Sequence, residues 1–274
     1  MKKITTIDEL HNKLFDLLIR FHNYCEENNL IYVLTGGSCL GAVRHHDFIP
    51  WDDDIDVNMP RHDYERLIEL IKTRPIKDAD FITCYTEKKE PYPYPYGKIV
   101  DTNTIVKELH WKPYYMGIFI DIFPIDGMPE DEKLQKKLFK KILNRQTLVY
   151  GSFGRYEKRG TSKFNYILGC IGTFFMHLLY IPTRRYLPRM CDKIARKYNI
   201  TESSYEGCYF GMYGYKREVF PKGIYFPPSK LPFHGTLLNV IGKYDQYLTQ
   251  IYGDYMTLPP EDKRITHMLE IYEK

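Results

Sequence analysis

The residues best suited to chemistry stand in two short runs, Gly36-Gly37-Ser38 and Asp54-Ile55-Asp56, with Asp54 lying 16 residues after Ser38. Paired glycines let the backbone come close to a ligand, and consecutive N–H groups opening a helix form a nest for an anion. Aspartates at i and i+2 on a strand point to one face, so both reach a single divalent cation. A phosphate nest beside such a pair is what phosphoryl or nucleotidyl transfer needs, because the cation offsets charge on the phosphate oxygens and on the leaving group. A third carboxylate is expected from a neighbouring strand. Asp121 supplies it within Gly117-Ile-Phe-Ile-Asp-Ile-Phe123, an otherwise apolar run in which an unpartnered acid would be costly. Asp126, just past that run, is the second choice. The structural alternatives are a plain Gly-Gly turn, a solvated acidic face at Asp52 and Asp53, and an ion pair of Asp121 with Arg44 or Lys98.

These residues need strands and helices to position them. Thr6, followed by Asp8, Glu9 and apolar residues at 10, 14, 17, 18 and 21, predicts a capped amphipathic helix ending near Asn28-Asn29. Residues 31–34 read as a strand leading into the glycines, and 38–43 as the start of a helix. Residues 54–57 alternate as a half-buried strand does, and 61–71 carry helical spacing. Residues 81–85, 97–100 and 117–123 read as further strands, with a polyproline-like loop, PYPYPYG, at 91–97. Strands interleaved with helices point to a mixed α/β core. Farther on, helices are expected over 130–148 and within 164–181. Short strands are expected at 223–226 and 236–241, and a last helix at 243–251. This divides the chain into a core (1–129), a basic and partly apolar helical region (130–207) and a C-terminal segment completing the site (208–274).

Composition narrows the function classes. With 43% hydrophobic and 27% charged residues the chain is globular, not disordered, and its 274 residues suffice for a real core. Six cysteines without a C-x-x-C pair argue against structural zinc and a disulfide scaffold. The N-terminal residues carry no apolar run before their first acids, so a signal peptide is not expected and the cytoplasm is the expected compartment. The net charge of +4 hides an uneven spread, since residues 131–200 hold 16 Lys and Arg against 4 Asp and Glu. Within them, 164–181 lacks any charge and is flanked by Lys158, Arg159, Lys163, Arg184, Arg185 and Arg189. Positive charge at both ends suits a segment lying on an anionic leaflet (158–189) better than one crossing it. The alternative is a helix buried against the core. No nucleic-acid motif accompanies the basic residues, so nucleic acid is not an expected partner.

The run GGSCLGAVRHHDFIPWDDDIDVNMPRHDYERL at 36–67 closely resembles the LicD family of phosphocholine transferases, and more distantly the fukutin-related group. GIFIDIFPID at 117–126 and YDQYLTQIYGDYMTLPPEDKRITH at 244–267 resemble the family's other two blocks, in the same order. The resemblance implies a nucleotidyltransferase-like mixed sheet with flanking helices and a helical basic insertion. It implies a divalent metal, Mg²⁺ or Mn²⁺, and transfer of phosphocholine or a related phospho-alcohol from CDP-choline or another CDP-alcohol. The acceptor it implies is a hydroxyl of a cell-surface glycan or its lipid-linked precursor, with CMP as the leaving group.

Carried onto this chain, Asp54 and Asp56 would hold the metal, and Asp121 would be its third ligand or the base for the acceptor hydroxyl. Gly36, Gly37 and Ser38 would hold the diphosphate, with Arg44 and Lys98 as candidate phosphate clamps. Tyr252, Asp254, Arg264 and His267 match the last block and would border the donor pocket. Phe233-His234-Gly235 stands where the family has Phe-Glu-Gly, which puts a role for that acid in doubt. A quaternary ammonium would need aromatic faces; candidates are Trp51, Trp111, Tyr114, Tyr115 and the tyrosines of 205–215. His45 and His46 are candidate acid–base groups, and Trp51 could stack a base or anchor its loop. Two other readings remain open at this point: a sugar-nucleotide glycosyltransferase using the same D-x-D, and a catalytically silent membrane-associated subunit.

Overall fold

A computed structural model of the chain describes residues 1–87, 92–108, 114–153, 163–183, 185–261, 264 and 270–274. After a short strand, β1 (Lys2–Ile4), Thr6 caps helix α1 (Ile7–Glu27): its hydroxyl accepts the Glu9 N–H, and Asp8 and Glu9 complement the positive helix end. Leu10, Leu14, Leu17, Leu18 and Phe21 form its buried stripe. The chain then runs through β2 (Val33–Leu34), α2 (Gly36–Arg44), β3 (Asp56–Pro60), α3 (Arg61–Thr73), β4 (Ala79–Ile82) and β5 (Gly97–Asp101). Next come β6 (Thr104–Glu108), β7 (Tyr114–Met116), β8 (Phe119–Met128), α4 (Glu132–Phe153), α5 (Lys163–Thr183) and α6 (Tyr186–Ala195). The remainder comprises β9 (Tyr205–Gly207), α7 (Tyr215–Glu218), β10 (Val219–Pro221), β11 (Ser229–Phe233), β12 (Thr236–Val240), α8 (Tyr244–Tyr252) and β13 (Glu270–Glu273).

The expected mixed α/β class is what the chain adopts. The main sheet runs β10-β9-β8-β3-β2-β12-β11, with β5 also against β8 and β4 beyond it. Only β3–β8 and β2–β12 pair in parallel within it; the other pairs are antiparallel. Buried Val33, Leu34, Val57, Met59, Ile120 and Ile122 hold this sheet in a core shared with α1, α2 and α3. A second sheet, β1-β13-β6-β7, joins the two chain ends and was not anticipated from local pattern.

Two expectations need correcting. Residues 223–226 form no strand: Glu206 Oε1 accepts the N–H groups of Gly223, Ile224 and Tyr225 at 3.0–3.1 Å, taking the donors a ladder would use. Asp126 lies within β8, not past the strand, and is held in an ion pair. It is fully buried and takes a two-pronged pair from Arg61 (2.7 and 2.5 Å), whose other nitrogen reaches Asp192 at 2.9 Å. Burial alone would disfavour the guanidinium charge, but the two carboxylates hold it above its ordinary range.

Candidate active site

Helix α2 opens directly after β2, so its first turn faces the ends of the central strands. Gly36 sits at φ +53°, a left-handed conformation that favours glycine, and its N–H donates to the Tyr247 hydroxyl at 3.2 Å. At Gly37 a Cβ would collide with the Asp52 carboxylate, so glycine there lets the acidic loop press against the helix start. Ser38 is buried, and its Oγ accepts the Asp56 N–H at 3.0 Å, tying the helix start to β3. The three residues of the predicted nest therefore lie against the predicted acids.

Register does the rest. Asp121 on β8 is opposite Asp56 on β3 and opposite Lys98 on β5, so three side chains line up across three strands. Lys98 is buried and gives its Nζ to Asp121 Oδ1 at 2.5 Å, over the Phe119 ring. Lys98 is thus the ion-pair partner of Asp121. Asp54, Asp56 and Asp121 line one cavity of about 710 Å³ together with Thr35 and Gly36. Burial pushes the Asp56 carboxyl well up, and the negative charges of Asp54, Asp121 and Asp52 add to this against Lys98. Such crowding of carboxylates fits a site completed by a cation. Among the described residues, the carboxylate oxygens that all come within 4.8 Å of one another belong to Asp52, Asp53 and Asp54.

Other expected residues lie elsewhere. Arg44 ends α2, whose start faces the acids. It does not line the cavity, and it donates to the Tyr255 carbonyl (2.8 Å) and to His45 Nε2 (3.0 Å). His45, lowered by burial and then by Arg44, and His46, bonded to the Ala42 carbonyl, share that far end. Arg264 lies over the Trp51 ring at 4.8 Å, anchoring the residue that leads into the acidic loop. Tyr252 does border the site: its hydroxyl accepts from Tyr213 at 2.9 Å and stands near Gly36. Asp254 is exposed and accepts from Thr257. His234 pairs with Asp47 instead of entering the site. His267 and Trp111 lie outside the described residues. Tyr114 and Tyr115 belong to β7 in the second sheet.

The cavity has components that sequence reasoning missed. Its aromatic wall includes Tyr94 and Tyr96 from the proline-rich loop, Phe123 and Phe139, besides Tyr209, Tyr213 and Tyr215 of the anticipated stretch. Lys136 and Lys140 of α4 also line it, and so does buried Glu218. Glu218 carries no motif. Its only sequence signal is an acid closing the aromatic run 205–218.

Converging carboxylates, a helix start beside them and a cavity at the strand ends are the frame expected of an α/β enzyme. The family described as "LicD/FKTN/FKRP, nucleotidyltransferase domain" matches residues 29–146. The chain is 32% identical, over 99% of its own length and 99% of the relative's, to the lipopolysaccharide cholinephosphotransferase LicD of Haemophilus influenzae. It is also 36% identical over 58 residues to an uncharacterised protein of Rickettsia prowazekii, covering 21% of this chain and 22% of that one. The chain belongs to the LicD family and is a LicD-type enzyme.

Proposed function

We propose that this enzyme transfers phosphocholine, or a related phospho-alcohol, from a CDP-activated donor to a hydroxyl of a cell-surface glycan or its lipid-linked precursor, releasing CMP. The observation that carries this reading is the alignment of Asp56, Asp121 and Lys98 on an aromatic cavity, in a chain so similar along its length to a lipopolysaccharide cholinephosphotransferase.

Asp54, Asp56 and Asp121 would hold Mg²⁺ or Mn²⁺, which when bound would offset charge on the diphosphate and the departing CMP. The first-turn N–H groups of α2 at Gly37 and Ser38 would meet the diphosphate. Lys136 and Lys140 line the cavity, whereas Arg44 does not, and are the candidate cations for the donor's phosphates. Lys98 holds Asp121 in place by their ion pair, as ligand or as acceptor of the glycan hydroxyl's proton. That hydroxyl oxygen bonds to the phosphorus carrying the alcohol, the bond from this phosphorus to CMP breaks, and CMP takes the electron pair.

The same reading seats the enzyme on a membrane surface. Ile167, Leu168, Ile171, Phe174, Phe175 and Leu178 recur at helical spacing along one face of α5, and each is roughly half exposed. This face is not buried in the core, and no described helix is long and apolar enough to cross a membrane. With basic α4 packed beside it, the face suits an anionic leaflet bearing a lipid-linked acceptor.

Phosphorus NMR of CDP-choline with enzyme and Mg²⁺, with and without a lipid-linked glycan extract, tests the reaction. CMP is expected from wild type, faster with extract, and not from Asp56→Ala. Release of a nucleoside diphosphate from a sugar nucleotide would instead establish glycosyl transfer. No turnover of any CDP-alcohol would overturn the reading.

A further inference from the structure

The cavity contains an acid for which the reaction above has no use. Glu218 closes α7, is buried, and among the described residues accepts one hydrogen bond, from the Tyr213 N–H at 3.2 Å. Gly211 lies flat against its carboxylate, where any Cβ would collide with both oxygens. No lysine or arginine among the described residues pairs with it. Tyr209 lines the same cavity, and its hydroxyl is buried with no hydrogen-bond partner among the described residues. A lone carboxylate among aromatic rings is costly to ionise unless a cation arrives from outside.

The surroundings specify what kind of cation. An ammonium with N–H groups wants several converging acceptors, whereas a trimethylated one has nothing to donate. It binds to ring faces with a countercharge nearby. The wall around Glu218 matches the second case: Tyr209, Phe210, Tyr213, Tyr215 and Phe139 of α4 line the same cavity, with the Phe139 ring packed on Tyr209 at 4.9 Å. Tyr213 also connects this end to the acids: its N–H holds Glu218, while its hydroxyl meets Tyr252 beside Gly36. The alcohol end and the phosphate end of a donor would thus lie along one wall.

We propose that Glu218 is the specificity-determining residue for the transferred alcohol, its carboxylate supplying the countercharge for a quaternary ammonium held against these rings. This rests on the reading of the substrate as a CDP-alcohol.

The test compares CMP release from CDP-choline and from uncharged CDP-glycerol by wild type, Glu218→Gln and Glu218→Asp. Glu218→Gln is expected to raise KM for CDP-choline roughly 10- to 100-fold while moving that for CDP-glycerol less than about twofold, with Glu218→Asp recovering part of the loss. An unchanged KM for CDP-choline, or an equal rise for both donors, would overturn the proposal and leave the transferase reading standing. Calorimetry on wild type needs neither turnover nor a mutant. Phosphocholine is expected to bind more than about tenfold tighter than its uncharged isostere, 3,3-dimethylbutyl phosphate. Equal affinity would count against Glu218 whatever the enzyme's reaction proves to be. CMP release from no CDP-alcohol, with phosphocholine still preferred, would refute the donor and keep the ammonium subsite.

Discussion

Asp56 and Asp121 face each other across the parallel strands β3 and β8, and the ammonium of Lys98 stands one strand farther on, bonded to Asp121 alone of the two. Equal residue types thus have unequal surroundings. Asp121 has a resident cation, whereas Asp56 is surrounded by other acids. The lysine thus offsets the charge of one carboxylate more directly than that of the other.

That inequality makes Asp56 a stability liability. Its raised carboxyl means the folded chain retains a proton that the unfolded chain has lost, so its contribution to stability falls as pH rises above the ordinary carboxylate range. Asp56→Asn is expected to melt higher than wild type in chelator at pH 8. Adding Mg²⁺ or Mn²⁺ is expected to raise the wild-type midpoint and leave that of Asp56→Asn unmoved, as scanning calorimetry would read.

Lys98→Met removes the partner of Asp121 from a nearly closed site, where the side chains are 3% and 12% exposed. Breaking such a pair costs about 3 kcal/mol or more. The double variant Lys98→Met/Asp121→Asn is expected to regain most of that in urea unfolding while remaining inactive.

Asp126 gives the contrasting result. Asp126→Ala leaves Arg61 with Asp192 as its remaining partner and is expected to destabilise by about 3 kcal/mol, yet to keep near wild-type CMP release per folded molecule. An inactive but fully stable Asp126→Ala would place it in the chemistry after all.

Glu218 adds its own pH dependence. Burial raises its carboxyl from 4.5 to about 7, opposed by the Tyr213 N–H. Its titratable neighbours Cys208, Tyr213, Tyr225 and Tyr247 are all pushed up by burial and stay neutral across this window. The folded state holds the Glu218 proton where the unfolded state releases it, so stability falls as pH climbs from 4.5 towards 7, by about 3 kcal/mol. Between pH 5 and 8, urea midpoints of Glu218→Gln are expected to drop less than those of wild type.

The α5 face is tested by flotation with vesicles containing an anionic lipid. Wild type is expected to float with them, and Phe174→Asp/Phe175→Asp to stay behind while retaining its melting temperature, since both rings are more than half exposed. Flotation by both proteins would detach the face from membrane binding.

The glycines and acids were legible because both sit at strand ends, where period-two alternation and a tight turn leave a local mark on the sequence. The Lys98 partner of Asp121 was foreseeable only as one option, because register between β5 and β8 has no local signal. Arg44 was misplaced for a related reason. Eight residues from Gly36 is close along the chain, but along a helix it spans about 12 Å, from one end to the other. Glu218, Lys136 and Lys140 reach the cavity by tertiary packing of helices without motifs. Residues 223–226 had strand-like composition, and a carboxylate distant in sequence overrode it.

Val240 pairs with Leu34, and the Tyr247 hydroxyl meets Thr35 and Gly36, so the two ends of this contact lie about 200 residues apart. The loop that must close is therefore most of the chain. On a ribosome the acids of β3 and β8 would emerge long before the tyrosine that sets the helix start opposite them. Assembly of the site is consequently a late event in the life of each molecule. A chain stalled during synthesis would carry every acidic residue of the site and still have no competent place to bind a donor.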